Sequence, residues 1–156
     1  RARSLELNGP EAPKPVLVIV AGVAKHPERA EEIRRVNMKR WALSVVEQYE
    51  FDNIGFADIE GYEYYADLAK TIEKHGIDTF CDFLADLQVW GTPEQVTEKL
   101  LGYVEMCDAG ALVVPTCFGG MTPEQAEESF GLFAKEVLPV LKAHDVGGDI
   151  GVTYQA

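Results

Sequence analysis

The chain of 156 residues has little cysteine, and Cys81, Cys107 and Cys117 stand far apart. An odd number at wide spacing supports neither a disulfide framework nor a zinc cluster, so a reducing cytoplasm is the expected setting. The histidines, His26, His75 and His144, are equally scattered, with no spacing suited to a metal. Positive charge is scarce: 14 Lys and Arg stand against 26 Asp and Glu, a net charge of −12. Residues 1–50 carry nine basic and seven acidic side chains, and residues 51–156 carry five and nineteen. A surface this acidic repels phosphate backbones, which argues against a nucleic-acid partner. No apolar run reaches the roughly 18–20 residues that a bilayer span needs. The opening RARSLELNGPEAPKP also lacks the apolar core of a signal peptide.

What the sequence does have is a repeated helix start. Thr92-Pro93-Glu94-Gln95 returns thirty residues later as Thr122-Pro123-Glu124-Gln125. A threonine hydroxyl caps the first turn, proline suits that turn, and glutamine reaches back to complete a capping box. Glutamate places negative charge at the positive end of the helix dipole. His26-Pro27-Glu28-Arg29 is a weaker version of the same signal. Helical spacing follows each: Val96, Leu100, Val104 and Cys107; then Ala126, Phe130, Phe133, Val137 and Leu141. After the first, Ala30, Ile33, Trp41, Val45 and Tyr49 fit more loosely.

A short apolar run precedes each helix: VLVIVAGVA at 16–24, LQVW at 87–90 and ALVVPTCF at 111–118. Strand, capped helix and strand within about thirty residues define βαβ units with parallel strands. Pro115 sits badly in a central strand and marks a bulge or an interruption. Residues 51–86 break this rhythm, with a helix expected from Tyr62 to Lys74 and irregular chain around it. This aromatic-rich excursion is either a lid or a helical insertion that packs its rings on the domain.

LQVWGTPEQVTEKL, then DAGALVVP, then FGGMTPEQAEESFGLFAKEVLPVLK resembles the carboxyl-terminal end of the bacterial luciferase-like flavin-dependent monooxygenases. The likeness is densest over Leu87–Lys142 and weaker through the strand at 16–24. It implies an α/β fold: part of a (β/α)8 TIM barrel, namely its last three βα units with a lid-like insertion at about 51–86. Residues 1–156 would then be the carboxyl-terminal half of one domain. A whole barrel takes about 250 residues, and three strands cannot close one. The partner expected is therefore the missing amino-terminal half or another subunit, in a homo- or hetero-oligomer.

By the same resemblance the cofactor is FMN in its reduced form, with a deazaflavin as the alternative, and no metal. Dioxygen and reduced flavin oxygenate a small organic substrate, or a deazaflavin relative transfers hydride. A non-catalytic, flavin-binding or stabilising subunit of the same fold is the rival expectation. Barrel active sites lie at the carboxyl ends of strands, which here means Trp90, Gly91 and Thr92, and Cys117, Phe118, Gly119 and Gly120. Trp90 faces a flavin ring or an aliphatic substrate, or plugs the core. Gly119-Gly120 either receives a phosphate ahead of a helix or makes an ordinary turn. Cys117 reads as a small buried thiol. Tyr62, Tyr64 and Tyr65 are lid or substrate residues, or inward-packing rings. Arg34, Arg35, Lys39 and Arg40 cluster on the first helix as a solvated face or a meeting place for an acidic partner.

Overall fold

The apolar run from Pro15 to Ala24 becomes the central strand of the sheet. The computed structural model, which describes residues 2–9 and 12–147, divides that run into β1 (Val16–Val18) and β2 (Ala21–Val23). β1 pairs in parallel with β4 (Ala111–Val113), Leu17 opposite Leu112. β2 pairs in parallel with β3 (Val89–Gly91), Gly22 opposite Trp90. Backbone bonds join the halves: Ile19 and Ala21 donate to the carbonyls of Val113 and Pro115, Val89 donates to Val20, and Ala24 donates to Gly91. Neighbouring residues of a strand bond to opposite sides, so odd positions address β4 and even positions address β3. The spatial order is β3, then β1/β2, then β4.

The strands that lead to Trp90 and to Phe118 are not neighbours. They run parallel, but on opposite edges of the central strand. The last strand also stops at Val113, short of Phe118. Proline has no N–H, so Pro115 accepts from Ala21 but cannot continue the ladder, and the chain turns away there.

α1 (Ala2–Asn8) precedes the sheet. Between β2 and β3 come α2 (Pro27–Glu32), a π turn (Ile33–Met38), α3 (Lys39–Tyr49), a 3-10 turn (Ile54–Asp58), α4 (Glu63–His75) and α5 (Ile77–Leu87). α6 (Pro93–Cys107) joins β3 to β4; α7 (Pro123–Leu132), a second π turn (Phe133–Val137) and α8 (Leu138–Ala143) follow. The expected helix at 62–74 is α4. The excursion is otherwise more regular than expected, because α5 presents Phe80, Cys81 and Leu84 to Ala42 and Val46 of α3.

Both faces of the sheet carry helices. Ile19, Ala21 and Val23 pack against Val96, Leu100, Phe133 and Val137. On the opposite face Val20 and Ala24 pack against Ala30, Ile33, Met38, Ala85 and Phe118. A barrel keeps its helices on the outside only; cover on two faces is the habit of open parallel sheets. The second layer stops short, however: Val16, Val18 and Val113 share one face and are 53%, 65% and 51% exposed.

The π turns also redirect two helix faces. Ser129, Phe133 and Val137 are buried, while Phe130, expected inward, is 59% exposed. Asn37, Met38, Ala42 and Val46 are buried in the first helix, and Tyr49 lies outside. A π turn carries more residues than an α turn, so a 3.6-residue pattern read through it drifts off the true face.

The repeated helix starts do cap helices, with one asymmetry. At Thr122 the Gln125 N–H donates to the hydroxyl and the Gln125 side chain accepts from the Thr122 N–H, at 3.3 and 3.0 Å. At Thr92 the Gln95 half of the box closes at 2.9 Å, but the hydroxyl donates to Glu94 instead. Thr122→Ala is expected to cost about 1 kcal/mol, and Thr92→Ala less, read from urea unfolding midpoints.

Candidate functional site

Ligand sites of parallel sheets form beyond the carboxyl ends of the strands, where neighbouring chains leave in different directions. Here β2 runs out through Ala24 to Lys25 and α2. β4 departs through Pro115–Phe118 to α7. Where β4 has left, the Ser129 hydroxyl of α7 takes its place and accepts from the Val23 N–H at 2.9 Å, fully buried. On the other edge the Gln88 side chain accepts from the Val20 N–H at 3.1 Å. Two side chains thus continue the sheet's hydrogen bonding where strand pairing stops.

The loop after β4 is held tightly. Phe118 is buried in the cluster of Ile33, Met38 and Ala24, joined there by Trp90 and Met121. Gly22 lies beneath: a β-carbon built on it would stand 2.5 Å from Ile33 Cγ2 and 3.3 Å from the Phe118 ring. Gly119 and Gly120 have φ of +56° and +69°. Gly119 sits directly on the first π turn, where Asn37 donates to its carbonyl at 3.2 Å. A β-carbon on Gly119 would fall inside the Asn37 carbonyl oxygen, and one on Gly120 would meet the Arg40 guanidinium. This accounts for the glycine pair by packing. The Gly119 face is filled by protein backbone, which does not fit a phosphate cradle.

Of the expected site residues, the structure brings Trp90 and Phe118 into one apolar cluster, on either side of Gly22. Phe118 is a core residue there. Trp90 is half-buried, and its indole N–H is the one fully buried side-chain donor without an acceptor among the described residues. Gly91 is buried and Thr92 half-buried at the start of α6. Cys117 is exposed, contrary to the buried thiol expected, because the chain turns outward after Pro115. The tyrosines do not reach the strand ends. Tyr65 is surrounded by Phe51, Phe56, Tyr62 and Tyr64 at centroid distances of 5.5 to 5.9 Å, a ring cluster at the amino end of α4. All three tyrosines remain exposed, at 43% for Tyr62, 73% for Tyr64 and 37% for Tyr65, so their rings pack on one another at the surface. Asn37 and Ser129 hold this end of the sheet, and Gln88 the start of β3, without any motif that announces them.

The basic helix divides into two pairs. Arg34 forks onto Asp86 at 2.7 and 2.9 Å, and Lys39 bridges Asp78 and Asp82 at 2.8 and 2.9 Å. These contacts fasten the first π turn to α5. The hydrogen bond from Arg34 is the main reason the Asp86 carboxyl lies below its usual range. A carboxyl lowered on folding contributes stability that is complete above its unfolded value of about 3.9 and fades as pH falls through the lower folded value. Because Asp86 is half exposed, the contribution is at most about 1 kcal/mol after solvent screening. Asp86→Asn should therefore cost that much at pH 7 and progressively less as pH falls below the unfolded value of about 3.9, measured as urea midpoints at neutral and acid pH. Lys99 donates to the carbonyls of Asp86 and Gln88 at 3.1 and 2.6 Å, and burial lowers its pKa.

Among the described residues no group of three or more His, Cys, Asp or Glu side chains is placed to hold a metal ion. Nor is any helix among them long and apolar enough to cross a membrane. No family model matches the chain, and no curated protein matches it significantly in sequence.

Proposed function

We propose that this chain is part of a flavin-dependent oxidoreductase of the luciferase-like kind, working with further strands supplied by the rest of the barrel or by another subunit. The carrying observation is the bare valine face. Parallel strands are ordinarily covered on both sides, yet Val16, Val18 and Val113 face solvent, and among the described residues no further strand pairs with β3 or β4. Supporting it are three parallel segments, two leading into a Thr-Pro-capped helix, in the order of the family's closing motifs. On this reading reduced FMN, or a deazaflavin, supplies the redox chemistry when bound. The chain supplies one wall at the carboxyl ends of β3 and β4. Trp90 offers its unpaired indole N–H to an acceptor on the ring, and Gly91-Thr92 shapes the wall beside it. Phosphate binding falls to residues outside this chain, since Asn37 fills the space at Gly119 and Arg40 that at Gly120.

The strand order favours a second reading. With β3 and β4 on opposite edges and helices on both faces, the fold resembles a small doubly wound α/β domain, whose ligand crevice would lie where β2 and β4 part. Titrating the purified protein with FMN, then measuring reductant-dependent oxygen uptake with a panel of small organic substrates, separates the two. Saturable flavin binding that quenches Trp90 fluorescence, lost in Trp90→Phe, supports the flavoprotein reading. Absence of flavin binding both by the chain alone and by the complex recovered with its native partner contradicts it.

A further inference from the structure

We propose that the groove between the first helix and α5 binds a free amphiphilic anion, an aliphatic chain ending in a carboxylate. The groove has a volume of about 310 Å³ and is floored by Val36, Leu43, Ile77 and Cys81. That volume lies at the lower end of the roughly 300–1,000 Å³ usual for small-ligand sites. Three floor residues stay open to solvent, at 43% for Val36, 37% for Leu43 and 38% for Ile77.

Charge decides the occupant. The chain has 26 Asp and Glu side chains for 14 Lys and Arg, yet the basic residues at this groove differ in whether they find an acid. Arg34 and Lys39 both take carboxylates from α5. Arg35 and Arg40 line the groove and form no ion pair among the described residues. Asp78, the one acid lining it, is held by Lys39. Two guanidinia thus lack a carboxylate at the groove, that of Arg35 and, at the rim that touches Gly120, that of Arg40; fork-shaped donors beside hydrocarbon suit a carboxylate with an alkyl tail. A simple anion would leave the floor wet, and a neutral chain would leave the arginines unused. The site owes nothing to the flavin reading: its residues lie on the helices, and it stands or falls separately.

Calorimetric titration with decanoate, 1-decanol and inorganic phosphate tests this, with amide NMR shifts locating the contact. Decanoate is expected to bind saturably, to shift Val36, Leu43 and Ile77, and to exceed both decanol and phosphate by at least about tenfold. Arg35→Gln with Arg40→Gln should weaken decanoate by about tenfold or more, while Lys142→Gln leaves it unchanged. All three positions are solvent-facing, so unchanged circular dichroism and melting identify a folded variant. Equal affinity for the three probes, or for the wild type and the double variant, would overturn the proposal. Co-sedimentation with phosphatidylglycerol vesicles in the absence of decanoate binding would also overturn it, by assigning the patch to a membrane surface.

Discussion

Gly119→Ala is expected to lower the unfolding free energy by roughly 3 kcal/mol, the sum of a left-handed alanine and a forced separation of packed backbone. The glycine has φ +56°, and the space beside it is occupied by the Asn37 carbonyl of the first π turn. Neither side of this contact is a flexible side chain, so relief requires the loop and the helix to part. That movement would also withdraw Phe118 from Met38 and Ile33, opening the cluster over Gly22. Gly61→Ala is the control: its φ is +88°, but nothing lies within 4 Å of the added carbon. It should cost only about 1 kcal/mol. Urea unfolding of both variants supplies the comparison. Equal losses would mean that the loop after β4 does not rest on Asn37.

The second large effect belongs to the opposite face. Leu100 is fully buried between the sheet and the second π turn, among Ala21, Val23, Val89 and Val137. Leu100→Ala should cost 2–5 kcal/mol, because lost transfer energy is joined by a cavity that rigid strands cannot close. Met106, on the same helix but 71% exposed, should tolerate alanine within about 0.5 kcal/mol. A small loss at Leu100 would place α6 elsewhere than on the sheet.

How much of this was legible follows from which interactions are local. Helix starts were, because Thr122, Pro123 and Gln125 act within one turn of each other. The parallel strands were too, since 16–24 and 111–118 are nearly continuous apolar runs, although Val16, Val18 and Val113 stay exposed. Strand order was not. Whether β4 joins β3 or β1 depends on which way α6 carries the chain across the sheet, and no residue in α6 encodes that locally. The π turns were equally silent, and they moved burial from Phe130 to Ser129 and brought Asn37 inward. The expected site suffered most, since its residues were chosen by their place at strand ends. Phe118 and the glycine pair sit at such an end in sequence, but in space they face Gly22 and Asn37, and their character is explained by that packing. Trp90 keeps a feature that packing leaves unexplained, its indole N–H.

The most direct measurement is a set of inter-strand nuclear Overhauser contacts in a uniformly labelled sample. The fold predicts backbone contacts between Leu17 and Leu112 and between Gly22 and Trp90, with none linking Val89–Gly91 to Ala111–Val113. Contacts running straight from β3 to β4 would contradict it, and would restore the sequential strand order of a barrel.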